Sequence, residues 1–221
     1  MRTILLFDLD GTLTDSGKGI MNSVSYALEK FNIRETDPKR LRRFVGPPLK
    51  ESFLNFYGFS EEEGERAVAA YREYFTEKGI KENKLYPGIR EGLTALKGKG
   101  FRLGIASSKP EVFVEQIARD FQITEYFDVM AGSLLDGGRT DKAQVIEEAL
   151  RRLGASPEQT VMVGDREHDV KGAARLGIPC AGAVYGYGSR EELIQAGALW
   201  LLEEPGEIGC LDEMIEGKGM V

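Results

Sequence analysis

Two cysteines and a single histidine are all that this 221-residue chain has of either kind. Cys180 and Cys210 allow one disulfide at most, and so low a number fits a reducing compartment better than a disulfide-stapled secreted domain. With His168 as the sole histidine, no Cys/His metal cluster can form. No stretch approaches the ~20 apolar residues that span a bilayer, and the apolar run after Arg2 is too short for a signal peptide. Basic charge is also short: 29 Lys and Arg stand against 36 Asp and Glu, a net charge of −7. That balance disfavours non-specific binding to nucleic acid or to an acidic membrane surface. These absences imply a soluble, cytoplasmic protein with neither nucleic acid nor membrane as partner.

What is present is enough for a sizeable core, with 42% apolar residues over one large or two small domains. Apolar runs of strand type recur at 3–9, 101–107, 127–131, 160–164, 180–184 and 199–202. Most are nearly continuous, as in parallel strands covered on both faces. Helical patterns lie between them; in 141–153, Val145, Ile146, Ala149, Leu150 and Leu153 recur at helix spacing. Alternating strands and helices predict an α/β fold, a doubly wound parallel sheet. Residues 15–82 break the alternation. Ile20, Val24, Ala27, Leu28 and Phe31 form one helical stripe, and Ala67, Val68, Tyr71, Tyr74 and Phe75 another. The expected organisation is therefore a core made of 1–14 and 83–221, with a helical domain inserted at 15–82. The segment 83–88, with Pro87 and Gly88, would be the return hinge.

Four features carry chemistry, each at or just after the carboxyl end of an expected strand, where open α/β sheets place their sites. The first is Asp8-Leu9-Asp10-Gly11-Thr12 after the run Ile4-Leu5-Leu6-Phe7. Residues two apart on a strand point the same way, so Asp8 and Asp10 would face one spot. Like charges held together are costly unless a cation or a proton is shared. The second is Ser107-Ser108-Lys109-Pro110. By itself it reads as a turn, although a hydroxyl and backbone N–H groups at a strand end can hold phosphate oxygens. The third is Lys142, at a helix start where an anion is favoured. The fourth is Gly164-Asp165 with Asp169 four residues on; Asp165 can offer a hard carboxylate to Mg²⁺. Lys18, between Gly17 and Gly19, lacks the spacing and the following Ser/Thr of a phosphate-binding P-loop.

Together these features resemble the motif order of the haloacid dehalogenase-like superfamily over nearly the whole chain. The run Asp8-Leu9-Asp10-Gly11-Thr12 is similar to its most specific signature. Gly46-Pro47-Pro48-Leu49 and Tyr185-Gly186-Tyr187-Gly188 resemble sequences of its phosphoglycolate phosphatase-like group. The stretch Thr140-Asp141-Lys142-Ala143 stands where many members carry Lys-Pro-x-Pro. The resemblance implies a Mg²⁺-dependent phosphatase acting on a small phosphorylated metabolite through an aspartyl-phosphate. Phosphoglycolate, a nucleoside monophosphate and pyrophosphate are the substrates it leaves open; a phosphomutase or a non-catalytic phosphate-binding module are further alternatives. It implies Asp8 as nucleophile and Asp10 as general acid and base. Mg²⁺ would be held by Asp8, Asp165 and the backbone carbonyl of Asp10. Asp8, Leu9, Asp10, Ser107, Ser108 and Lys142 would bind the phosphoryl group. Asp169 would orient Lys142 or a metal-bound water, with Gly11 and Thr12 supporting the turn. The insert would be the cap, with Arg43 and Lys50 its candidates for substrate choice.

Overall fold

A computed structural model of the chain describes residues 3–218. The first stretch holds β1 (Ile4–Phe7), β2 (Thr14–Asp15), α1 (Gly17–Glu29), α2 (Pro38–Arg42), α3 (Leu49–Tyr57) and α4 (Glu61–Glu77). It continues with β3 (Lys84–Leu85), α5 (Ile89–Gly98), β4 (Arg102–Pro110), α6 (Glu111–Asp120), β5 (Val129–Ser133) and α7 (Lys142–Leu153). The last part holds β6 (Thr160–Gly164), α8 (Glu167–Arg175), β7 (Cys180–Ala183), α9 (Arg190–Ala196) and β8 (Trp200–Leu202). The chain divides into two compact units, residues 1–14 with 85–221, and residues 15–84. No helix among the described residues is long and apolar enough to cross a membrane.

In the first unit six parallel strands run in the order β5-β4-β1-β6-β7-β8. This is the doubly wound α/β sheet that the alternation of apolar runs and helical stripes predicts. β1 is central and none of its residues is more than 2% exposed, which is why Ile-Leu-Leu-Phe is an unbroken apolar run. Ile4 sits opposite Arg102 on one side and Thr160 on the other. The strand order reverses around β1, so the carboxyl ends of β4, β1 and β6 border the crevice where such sheets bind ligands. Leu6 and Met162 belong to one buried layer with Val145, Ile146, Ala149 and Leu150 of α7 and with Val170 and Ala173 of α8.

Three strands differ from their expected bounds by more than one residue at an end, each for a local reason; β7 and β8 are each one residue shorter than expected. The run expected at 3–9 is strand only through Phe7, because Leu9 O already accepts the N–H groups of Leu13 and Thr14, closing a tight turn. The run expected at 101–107 continues to Pro110, with a register shift against β5 between Ala106 and Pro110. β5 begins at Val129, two residues late, because Asp128 gives its N–H to Leu103 O and accepts from Leu103 N and Lys97 with its carboxylate.

The second unit is helical. α1 buries Ile20, Val24, Ala27 and Leu28, and α4 buries Ala67, Ala70, Tyr71 and Phe75. Phe44 packs on Phe53 at 4.9 Å, and Phe53 stacks on Phe59 at 5.9 Å. Ser60 and Glu63 form a reciprocal capping box at the start of α4. Gly19 of α1 is a close-approach glycine: a Cβ there would lie 2.0 Å from Gly79 O.

Leu6 touches the α7–α8 layer from the central strand and is 0% exposed. Leu6→Ala is expected to cost about 2–5 kcal/mol, read as a lower urea midpoint at unchanged slope.

Candidate active site

The turn after β1 is set by its own sequence. Gly11 adopts φ +86°, a conformation that favours glycine, and its N–H bonds Thr14 O at 2.8 Å. Asp8 continues the ladder through its N–H to Val163 O at 2.8 Å, so its side chain is placed by the sheet itself. Asp8 and Asp10 are 5% and 7% exposed.

The two acids do not share a partner. Asp8 Oδ1 lies 2.7 Å from Lys142 Nζ, whereas Asp10 Oδ2 lies 2.8 Å from Lys109 Nζ. Lys142 is the first residue of α7, behind the N-cap Asp141. Its ammonium uses all three donors, on Asp8 Oδ1, on Asp169 Oδ1 at 2.7 Å and on Ala106 O at 2.9 Å. Gly172 of α8 makes room for the lysine stem, since a Cβ there would meet Lys142 Cγ at 2.8 Å. Asp169 is fixed at its other oxygen by the N–H of Arg166, at 3.0 Å. Asp165 follows β6 and is 0% exposed; its Oδ2 accepts the N–H of Tyr187 at 2.8 Å.

Among the described residues, the buried charged side chains are Asp8, Asp10, Asp165, Asp169, Lys109 and Lys142. Every one belongs to this site. Fully ionised, four carboxylates against two ammonium groups would leave two negative charges uncompensated, an excess that shared protons or a divalent cation would offset. Oxygen atoms of Asp8, Asp165 and Asp169 lie within 4.8 Å of one another. Asp165 Oδ1 and Asp10 Oδ1 are buried with no hydrogen-bond partner among the described residues. An all-oxygen donor set suits a hard cation such as Mg²⁺. The electrostatics agree. Burial, followed by the charges of Asp169 and Asp8, pushes Asp165 well above the usual carboxylate range. Burial also pushes Asp8 up to about 6, against the opposing effect of Lys142. Burial alone would lower Lys142, but Asp169 and Asp8 hold it above its ordinary value, so it stays charged.

The family model described as haloacid dehalogenase-like hydrolase matches residues 5–183. The chain belongs to that family. Within it the similarity extends to the phosphoglycolate phosphatase-like group. A 5'-nucleotidase of Pseudomonas aeruginosa is 48% identical over 86% of each chain. The tyrosine-protein kinase PtkA of Mycobacterium tuberculosis is 39% identical over 98% of this chain and 72% of its own. Among solved structures, a predicted phosphatase from Clostridium acetobutylicum superposes with a TM-score of 0.94 at 46% identity, covering 98% of this chain and 99% of that one.

In this hydrolase Ser107 is 1% exposed within β4, three residues before its end, and its Oγ accepts the N–H of Lys109 at 3.3 Å; Ser108 is half-buried. Leu9 is buried in the turn, and Thr12 O accepts the hydroxyl of Tyr185 at 2.8 Å. Arg43 and Lys50 lie in the 15–84 unit. There the Arg43 guanidinium stacks 3.9 Å above the Phe56 ring, and Lys50 pairs with Glu61 at 2.7 Å and Glu65 at 2.9 Å. Two participants escape the sequence reading, Lys109 and the Tyr187 N–H. A signal for Lys109 exists: once β4 is extended to Pro110, the period of two puts it with Ser107. Tyr187 lies in the run Tyr185-Gly186-Tyr187-Gly188, which is marked only by its resemblance; nothing local points to its N–H.

Lys109→Met leaves the buried Asp10 carboxylate without its counter-ion. The expected cost is about 3–5 kcal/mol in chemical unfolding, and the double variant with Asp10→Asn should recover much of it. Additive losses would show that the pair is not coupled.

Proposed function

We propose that the chain is a Mg²⁺-dependent phosphatase, a phosphoric monoester hydrolase that cleaves small phosphorylated metabolites through an aspartyl-phosphate on Asp8. The observation that carries this reading is the pairing of two buried acids with two separate lysines beside a carboxylate cluster two charges short of balance.

The division of labour follows from the partners. Lys142 holds Asp8 through Oδ1, which leaves Oδ2 to attack phosphorus. As the Asp8–phosphorus bond forms, the bond to the leaving oxygen breaks, and Asp10 donates its proton to that oxygen. Asp10 then takes a proton from water, whose oxygen attacks phosphorus and releases Asp8 and inorganic phosphate. Lys109 keeps the Asp10 carboxylate in one orientation through Oδ2. Lys142, Ser107 and the backbone N–H groups near Leu9 and Ser108 receive the phosphoryl oxygens. Asp169 acts through Lys142. The carboxylates of Asp8 and Asp165 and the carbonyl of Asp10 would hold Mg²⁺, which when bound offsets charge repulsion between the nucleophile and an anionic phosphate.

The 15–84 unit is read as the cap that selects the leaving group, with Arg43 and Lys50 its candidate contacts; either would first have to leave the partners just described. A nucleoside 5'-monophosphate is the substrate to test first, on the strength of the 48% identical relative named 5'-nucleotidase. Phosphoglycolate and pyrophosphate follow.

Phosphate release from a panel of nucleoside monophosphates, phosphoglycolate, pyrophosphate and p-nitrophenyl phosphate tests the reading. Release should require Mg²⁺, stop in EDTA and vanish in Asp8→Asn, while Asp10→Asn should lower kcat by about 10²–10⁴-fold. Full activity in Asp8→Asn would sink the mechanism. A second test uses the metal-free protein. An acid whose pKa is raised by folding destabilises the fold once ionised, so the contribution of Asp165 is lost as pH rises. In EDTA, Asp165→Asn should therefore melt above the wild type, by a margin that grows from pH 5 to pH 8; saturating Mg²⁺ should reverse the order.

A further inference from the structure

We propose that Tyr185 and the loop it opens, residues 185–188, position the Asp165 carboxylate for the divalent cation, with Tyr185 tying that carboxylate to the turn that carries Asp8 and Asp10. The inference rests on the Mg²⁺-dependent reading above and assigns residues that the mechanism does not use.

Asp165 is enclosed by backbone. A Cβ on Gly186 would lie 2.4 Å from Asp165 Cβ and 2.6 Å from its Oδ2, and also 2.5 Å from Gly11 O. A Cβ on Gly188 would lie 2.1 Å from Asp165 O, and one on Gly11 would lie 2.1 Å from Asp165 Oδ2. The glycines thus allow the 185–188 loop and the 9–14 turn to close on the carboxylate from two sides. One directed bond completes the hold, from Tyr187 N–H to Oδ2 at 2.8 Å. With Oδ2 engaged, Oδ1 is the oxygen without a hydrogen-bond partner among the described residues. The loop therefore decides which oxygen of Asp165 is left to a cation, and prevents the carboxylate from rotating to present the other.

Tyr185 anchors this loop at its start. Its hydroxyl donates to Thr12 O at 2.8 Å, across 173 residues of sequence, and its ring meets Tyr86 edge-on at 5.3 Å. Burial, with Asp165 and Tyr86 nearby, holds the phenol above its ordinary pKa, so it remains a neutral donor. Thr12 lies two residues after Asp10 in the turn that also follows Asp8. The hydroxyl thus spans from the strand-end turn of one cation ligand to the loop that grips the other. Partners of this kind, one step removed from the metal, typically change metal affinity when lost. Tyr185 touches neither cation nor substrate on this account; it is a positioning residue.

The test compares full-length wild type, Tyr185→Phe and Gly186→Ala by calorimetric titration with Mg²⁺ alone and by Mg²⁺-dependent turnover of p-nitrophenyl phosphate. Tyr185→Phe keeps the ring against Tyr86 and removes only the hydroxyl. Its Mg²⁺ Kd, and the Mg²⁺ concentration giving half-maximal rate, should each rise about tenfold, the lower end of the usual range for such partners. The KM for p-nitrophenyl phosphate at saturating Mg²⁺ should stay as in wild type, and the melting temperature without metal should fall only by what one hydrogen bond supplies, a few degrees. Gly186→Ala should show a larger loss of Mg²⁺ affinity; if it fails to fold, Tyr185→Phe decides alone. Wild-type Mg²⁺ affinity in a folded Tyr185→Phe overturns the inference while leaving the phosphatase reading intact. Absence of any Mg²⁺ uptake by the wild type, with Asp165→Asn as reference, overturns both.

Discussion

The ammonium of Lys142, held between Asp8, Asp169 and the carbonyl of Ala106, is the interaction on which the site depends. It brings together the residue after β1, the middle of β4, the start of α7 and the first turn of α8. Remove it and two buried carboxylates face each other with nothing between them, the kind of loss that costs several kcal/mol. Its three bonds use every donor it has, so it has one orientation, and so do its two acid partners. The sheet supplies the accuracy: Asp8 is still hydrogen-bonded to Val163 O, so the nucleophile of the proposed reaction is an extension of the central strand rather than a loop residue.

The contrast between Asp8 and Asp10 supports the two roles proposed for one short motif. The residues are identical and two positions apart, and both are buried. What separates them is the lysine each one meets, Lys142 from the helix after β5 and Lys109 from β4 itself. Asp8 also feels Asp169 and lies in the oxygen cluster with Asp165, whereas the Asp10 carboxylate is outside that cluster. Environments that push like groups apart are how proteins assign nucleophile and proton carrier.

Much of this was legible in the sequence, and the reasons differ by residue. The parallel sheet could be read because buried strands have to be apolar throughout, and Ile4 to Phe7 shows it plainly. Asp8 and Asp10 stand out because two carboxylates closing such a run have no cheap structural explanation, whereas Asp165 alone reads equally well as part of an acidic loop entering a helix. Lys142 and Ser107 became visible only through the resemblance; a lysine at a helix start and a serine in a turn are ordinary alone. Lys109 was hidden by Pro110, which reads as a strand terminator although β4 runs through it at a register shift. The closure of Gly186 and Gly188 on Asp165 joins the loop after β7 to the loop after β6, 21 and 23 residues apart in sequence, and no local pattern encodes such a contact. In the 15–84 unit the helical stripes were plain, but Lys50 and Arg43 looked available in sequence and prove engaged by Glu61, Glu65 and Phe56.

The charge imbalance has a consequence for how the two properties of the site are linked. Elsewhere among the described residues the protein buries no charged side chain, so the core follows the ordinary economy of apolar packing. Here it buries four acids and compensates two. An apolar filling of the same volume would be more stable, and a third lysine would balance part of the excess but would occupy the space a cation needs. The proposed Mg²⁺ accounts for that arrangement; without it, protons on Asp8 and Asp165, whose carboxyls burial holds above the usual range, relieve the excess. On the proposed reading, the same surplus charges that weaken the site without a cation would set its affinity for one, and Asp165, held at Oδ2 and bare at Oδ1, is where the surplus is held most rigidly. Destabilisation without the cation and recognition of it are thus one property of the site, seen from its two states.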